Sequence, residues 1–295
     1  MAGLIAAHLL PRHDIYERGP ERRDNPHKAL LRFRSTAVAD ATGIEFRPVT
    51  VHKGIWLDGG WQEPNIANAN MYSRKVIGRL AERSVWNLAP AQRWIAPEDF
   101  YERLVTGLGQ RIHWGCAVSP IDATLSEPFI TTAPMPATLS AVGISEQPVF
   151  NSAPIYVRRY RIVDADVHQT VYFPTNRHSL YRASITGDLL ICEFTESIDD
   201  NDDWLLDVYD AFSIHSTSAV AVEGDKPDVQ QFGKVVPIDE GTRKALIMRL
   251  TTTFGVYSLG RYATWRNVLL DDVVKDSLVI KRLITASDYE RRMYY

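Results

Sequence analysis

Four groups of residues in this sequence have types and spacings that could do chemistry. Near the start, Gly3 opens the small-residue run Gly3-Leu4-Ile5-Ala6-Ala7, and Glu17 follows 14 positions later at the close of Asp14-Ile15-Tyr16. A glycine at a helix start lets the backbone approach a pyrophosphate, and the helix amides and dipole bind its charge. An acid ending the next strand can accept ribose hydroxyls, and Arg18 stands beside it. Near the end, Gly260-Arg261 is followed four positions later by Trp265 and then by Asp271-Asp272. There Gly260 permits close passage, Arg261 can reach phosphates or a reacting face, and Asp271 can accept a hydroxyl at a helix start. Between the ends, Arg32 and Arg34, with Lys28, form a basic cluster able to hold phosphate or an anionic substrate. Tyr181-Arg182, with Tyr156, Arg158, Arg159, Tyr160 and Arg161, interleaves aromatics and cations that could stack a base or sugar.

Each group also has an ordinary reading. The opening run is equally an Ala-rich helix leading to a strand, Gly260-Arg261 a hairpin turn, and Asp271 a helix N-cap. Arg32 and Arg34 fit a solvated strand face, and the Tyr-Arg run fits an amphipathic sheet surface. Joint spacing is what favours a ligand. Glu17 falls about 19 positions after a first glycine placed about five before Gly3, the separation of a dinucleotide fingerprint. On that reading the chain starts inside its own fingerprint, without the opening strand and the first two glycines.

Other chemistries lack support. The histidines show no HExxH or paired-ligand spacing, no metal site is expected, and no G-x-S-x-G, P-loop or zinc pattern occurs. No catalytic side chain is assigned. Cys116 and Cys192 lie far apart and read as reduced thiols. A formal net charge of -3 does not indicate a nucleic-acid surface. No apolar run approaches the roughly 18 to 20 residues of a membrane helix, and Pro11 stops the only apolar start, so a cytoplasmic protein without a signal peptide is expected.

The elements that must position these residues follow from periodicity. Gly3–Leu10 reads as a helix, Asp14–Glu17 as a strand, and Ile44–Trp56 as β-like. Residues 61–75, with Asn65, Asn68 and Asn70, read as a loop before a helical Val76–Leu80. Pro97–Leu104 reads as a helix, and Arg111–Trp114 and Pro128–Thr132 as strands. Alternating runs over Ile155–Ile162, His168–Phe173, Ser179–Thr186 and Leu189–Phe194 predict an antiparallel meander. An acidic turn follows over Ile198–Asp203, then a helix Trp204–Ile214. From Leu246 the pattern alternates again, turns at Gly260 and enters a helix near Asp271.

The segment from Leu259 to Val273 resembles the C-terminal flavin-contacting segment of UDP-galactopyranose mutase and related amine-oxidase-like flavoproteins. The match rests on Gly260, Arg261, Trp265 and Asp271. Phe129-Ile130-Thr131-Thr132-Ala133-Pro134-Met135-Pro136 resembles the strand and turn by which these proteins return to the cofactor domain. The resemblance implies an α/β fold: a Rossmann-like FAD-binding domain, N-terminally truncated, carrying an inserted antiparallel sheet. It places the FAD-binding domain at 1–60, 100–145 and 232–295, and the substrate domain at 61–99 and 146–231. It further implies non-covalent FAD contacted by Gly3, Glu17, Arg18, Arg34, Gly260, Arg261, Trp265, Asp271 and Asp272. Arg32, Tyr181 and Arg182 would meet a small-molecule or nucleotide-like substrate. The implied activity is oxidation by hydride transfer to flavin. The alternatives are a non-redox mutase-like reaction on a nucleotide sugar and a non-catalytic remnant of the fold. Oligomeric state is not indicated.

Overall fold

The computed structural model describes every residue except 24–27, 82–83, 120–127, 198–202, 223–227 and 286–295. The acidic turn expected before Trp204 lies mostly outside the described residues. In chain order the elements begin with α1 (Ala2–Leu9), β1 (Ile15–Glu17), β2 (Arg32–Phe33) and α2 (Ala37–Thr42). There follow β3 (Arg47–Leu57), β4 (Gly60–Gln62), α3 (Ile66–Ile77), β5 (Ala91–Ile95), α4 (Phe100–Leu108) and β6 (Ile112–Trp114). Next come β7 (Phe129–Thr131), α5 (Met135–Ala141), β8 (Ser152–Ile162), β9 (Val167–Tyr172), β10 (Leu180–Gly187) and β11 (Leu189–Phe194). The last are α6 (Asp203–Phe212), β12 (Ala219–Ala221), β13 (Asp228–Val235), α7 (Glu240–Phe254), β14 (Val256–Ser258), α8 (Gly260–Ala263) and α9 (Leu270–Thr285). This is a mixed α/β fold in two compact units. Unit 1 holds 1–47, 94–151 and 235–295; unit 2 holds 48–93 and 152–234.

Unit 1 is built on two pairs of parallel strands, β1 with β6 and β7 with β14. Helix α1 packs against α2, α4 and α9. It buries the consecutive Leu4, Ile5, Ala6 and Ala7, so it is enclosed on several sides rather than along one stripe. The same core takes Phe33, Val38, Phe100, Leu104, Tyr257, Val273 and Ile280. Leaving α1, the chain is clasped by Arg111. Its Nη2 donates to the carbonyls of Ala7 (2.9 Å), Leu10 (2.8 Å) and His13 (2.6 Å). A cation at the C-terminal end of a helix also opposes the dipole there. A second core of unit 1 gathers Met135, Leu139, Leu246, Leu250, Val256 and Trp265.

Unit 2 is a sheet in the order β12-β8-β11-β10-β9-β3, with β4 paired to β3 and β13 to β8. The expected meander holds only for β9, β10 and β11. Strand β8 lies beside β11, not β9, and β3 runs parallel to β9. Its pairing is what carries β3 into this sheet, so the unit boundary falls at 47/48, ahead of the position expected from sequence. Helix α3, with Tyr72 and Val76, packs with Ile155, Val157 and Tyr181; α6, with Trp204 and Val208, packs with Leu190 and Phe194. The Lys75 ammonium donates to the carbonyls of Phe173, Thr175 and Leu180, tying the β9–β10 loop to α3. Burial draws that amine down to about 7, against the pull of Asp207.

Two stretches to which periodicity gave another reading are helices. The asparagine-rich stretch is α3, because the Asn65 side chain caps it by accepting from the Asn68 amide at 2.8 Å. It buries Asn68, Ala69, Tyr72, Ser73 and Val76 at helical spacing, and Gly78 ends it at φ 72°. The run from Leu246, expected to alternate as a strand, lies within α7. Asp239 caps that helix through the Thr242 amide, and Gly255 closes it at φ 64°.

Replacing Arg111 by Met keeps the apolar stem but removes the clasp on α1. The variant should lose about 2 kcal/mol in urea unfolding, the scale of charge-assisted hydrogen bonds to partly buried acceptors. An unchanged unfolding midpoint would show that α1 does not depend on it.

Candidate functional site

Residues singled out at the two ends of the sequence meet within unit 1. Helix α1 starts at Ala2 with no side chain capping its first turn, so its leading amides lack intrahelical acceptors. On one flank stands β7: a Cβ built on Gly3 would lie 3.8 Å from Thr132 Cγ2, directly after that strand. On another flank is the turn after β14. Gly260 has φ 86°, and a Cβ there would stand 3.1 Å from Ala2 Cβ. Leu259, next to it, donates its amide to Thr131 O at 2.9 Å. Glu17 ends β1 and reaches the same region. Burial lowers the pKa of the Met1 amino group, and the Glu17 carboxylate opposes that lowering.

The N-terminus of α1 therefore lies at the carboxyl ends of β1 and β7, beside the glycine turn that follows β14. In parallel α/β sheets, ligands bind outside the carboxyl ends of the strands, at a helix N-terminus. Glu17 is exposed and accepts from the Gly19 amide at 2.8 Å; Arg18 beside it is exposed. Arg261 is half-buried in the first turn of α8. Ser258, at the end of β14, has a buried hydroxyl with no hydrogen-bond partner among the described residues. This constellation can cradle a diphosphate and offers a carboxylate to a neighbouring diol.

Three expected ligands, Trp265, Asp271 and Asp272, are engaged by other groups of the chain. Trp265 is 1 % exposed, donates its indole N–H to Val236 O at 3.0 Å and packs edge-on to Phe150. It is a core side chain with no face for a cofactor, and its φ of 46° turns it inward just after α8. Asp271 is buried, and its carboxylate accepts from the Ser35 amide (2.9 Å), the Ser35 hydroxyl (2.8 Å) and the Arg34 amide (3.2 Å). Asp272 accepts from Arg34 Nη2 at 2.6 Å and from the Leu269 amide at 3.0 Å. Burial would raise the Asp272 pKa, but the Leu269 amide and the Arg34 guanidinium outweigh it and hold the carboxyl below its ordinary value. Arg34 keeps about half its side chain in solvent, while Arg32 is half-buried and pairs through its backbone with Ile95.

In unit 2, Tyr181 and Arg182 form one cluster with Glu193. Arg182 holds the Glu193 carboxylate through Nε and through Nη2 (2.7 Å), and the Tyr181 hydroxyl donates to it at 3.1 Å. Burial would raise the Glu193 pKa; the Arg182 charge outweighs it and keeps the carboxylate ionised. Lys234 Nζ lies 3.9 Å from the Tyr181 ring centroid. Arg182 is thus neutralised by Glu193, and Lys234 supplies the further cation. Glu193 was legible in principle: the Gly187-Asp188 turn sets Arg182 opposite Glu193 in the hairpin register. Ser35, Ala2 and Thr132 carry no comparable mark, because only the folded chain brings them to Asp271, Gly260 and Gly3.

Gly260→Ala should cost about 1 to 2 kcal/mol, the penalty of an L-residue in the left-handed region, before any contact with Ala2 is counted. Wild-type stability in that variant would mean the close approach is not needed. Asp272 gives a pH test. Its depressed pKa contributes stability above the unfolded value of about 3.9, and that contribution fades as pH falls through the lower folded value. Asp272→Asn should therefore be less stable than wild type at neutral pH and converge with it in acid. A gap that stays constant with pH would refute the assignment.

No protein-family model matches the chain, and no curated protein matches it. Solved structures do. The chain is similar to reduced UDP-galactopyranose mutase at 14% identity and TM-score 0.68, over 97% of this chain and 94% of that one. A Pyrococcus furiosus protein aligns at 10% identity and TM-score 0.55, over 98% and 97% of the two chains. A geranylgeranyl bacteriochlorophyll reductase-like protein from Thermoplasma acidophilum aligns at 11% and 0.51, over 98% of this chain and 76% of that one. At these identities the likeness is one of fold, and that fold is the one this chain adopts.

Proposed function

We propose that unit 1 binds FAD and that the chain is a flavoenzyme oxidising a small or tethered substrate by hydride transfer to flavin. One observation carries this reading: the uncapped N-terminus of α1 stands at the carboxyl ends of β1 and β7, closed by a glycine whose Cβ would lie 3.1 Å from Ala2. The residues present suit such a group. The tight glycine leaves room for a backbone-lined cradle, and the unpartnered Ser258 hydroxyl is a polar group in want of an acceptor or donor.

In this reading the α1 amides and Gly3 face the pyrophosphate, and Glu17 accepts the adenosine ribose hydroxyls. Arg18, Arg34 and Arg261 contribute charge toward the phosphates. Bound FAD would supply the hydride acceptor. The chain holds it, orients the substrate and keeps water from the reacting centre. Within unit 2 the Tyr181–Arg182–Glu193–Lys234 cluster is the candidate for a small or nucleotide-like substrate, and within unit 1 Arg32 is a separate candidate. Because Glu193 balances Arg182, the cluster suits a polar ligand with modest negative charge better than a highly charged one. The likeness to UDP-galactopyranose mutase, at TM-score 0.68, favours a second reading: a non-redox rearrangement of a nucleotide sugar.

Purified protein incubated with FAD should retain it through gel filtration and show visible flavin absorbance. Glu17→Gln should weaken the Kd about tenfold, the scale of one lost charge-assisted hydrogen bond. A colourless wild-type protein would sink the proposal, and unchanged retention in Glu17→Gln would remove that residue from it. Acceptor reduction or peroxide formation supports the oxidase; turnover of a nucleotide sugar only under reductant supports the mutase-like reaction.

A further inference from the structure

We infer that Asp271 is a positioning residue, which presents the Arg34-Ser35 turn to the FAD site without touching the cofactor itself. This rests on the reading of unit 1 as an FAD-binding unit. Asp271 is 5 % exposed, and both its oxygens are engaged by one turn: Oδ1 by the Ser35 amide and hydroxyl, Oδ2 by the Arg34 amide. A carboxylate has about four acceptor positions, so three of them serve this turn. The Ser35 hydroxyl passes the constraint onward, since its oxygen accepts from the Ala37 amide at 3.3 Å in the first turn of α2. The next residue repeats the device. Asp272 takes the Arg34 guanidinium at 2.6 Å while capping its own helix through the Leu269 amide.

Two adjacent acids at the start of α9 thus hold two adjacent residues of a loop more than two hundred positions away. Asp271 fixes the backbone of the loop and Asp272 fixes the guanidinium. With Asp272 at 2.6 Å from Nη2 and Asp271 Oδ2 at 3.9 Å from Nε, the Arg34 guanidinium is held in one place while about half its side chain stays in solvent. Ordering a long cationic side chain in advance removes entropy that binding an anion would otherwise cost. A direct ligand would instead need its acceptor positions open toward the cofactor.

The test is a double-mutant cycle on FAD Kd with Asp271→Asn and Ser35→Ala, run where circular dichroism shows each apo-protein folded. Positioning predicts that each single change weakens binding about tenfold and that the double change is no worse than either. Ser35→Thr, which keeps a hydroxyl at that place, should restore the wild-type Kd. If Ser35→Ala leaves the Kd unchanged while Asp271→Asn raises it, or if the two effects multiply to about a hundredfold, Asp271 contacts the cofactor independently and the inference falls. Ser35→Thr binding as weakly as Ser35→Ala would also overturn it. Hydrogen exchange on the apo-proteins gives a readout without cofactor: the Arg34 and Ser35 amides should lose protection in Asp271→Asn, and retained protection refutes the clamp. Failure of the wild-type protein to take up FAD would defeat the cofactor reading alone, with the exchange result still deciding whether Asp271 holds the turn.

Discussion

Unit 1 depends on one close approach, that of the Gly260 backbone to Ala2. A helix start can serve as an anion site only if its first amides stay uncapped and no side chain fills the space before them. Gly260 meets the second condition by having no Cβ, and its left-handed φ turns the chain past α1 rather than into it. The flanking segments follow from that meeting. Leu259 continues the β7–β14 pairing through Thr131, and the strand ends deliver Thr132 and Glu17 to the other sides of the same helix. The Arg111 clasp acts at the far end of α1, so the helix is held at both termini by groups distant in sequence.

Charge is arranged with equal economy around α9. Its first turn carries Asp271 and Asp272, which suit the positive end of the helix dipole. Both also accept from the Arg34-Ser35 turn, so helix stability and loop geometry share the same carboxylates. In unit 2 the analogous balance is internal to the sheet: Arg182 and Glu193 face each other across a hairpin, and Lys234 rests on the Tyr181 ring.

Sequence alone reached the parts of this architecture that rest on local pattern. The helix after Gly3, the strand ending at Glu17 and the hairpins of β9, β10 and β11 have periodicity and turn residues strong enough to read. Helix α3 escaped because its cap is an asparagine in an asparagine-rich run, where composition suggests a loop. Helix α7 escaped because Leu246 and Leu250 belong to a stripe that begins at Arg243, a charged residue that is buried. The spacing of Gly260 with Arg261 singled out a turn whose backbone passes close to Ala2. The same spacing could not tell whether Trp265 faces a ligand or the core, since an aromatic at a given offset looks alike in either place. The contact of Asp271 with Ser35, 236 positions earlier, was out of reach for a related reason: nothing local to either residue announces the pairing.

The division of unit 1 into three segments bears on how the chain is made. Unit 2 draws on residues up to 234, whereas unit 1 needs 235–295 to close its core and to supply β14, Gly260 and Asp271. During synthesis, then, the sheet of unit 2 has all its strands while α1, β7 and the Arg34-Ser35 turn still wait for α9, β14 and Asp271. Until α9 emerges, the apolar side of α1 that it covers stands exposed, a window in which nascent chains are prone to stick to one another. Contacts of such long sequence separation also close slowly. Unit 1 is thus begun first and completed last, and its core stays open until 235–295 have emerged.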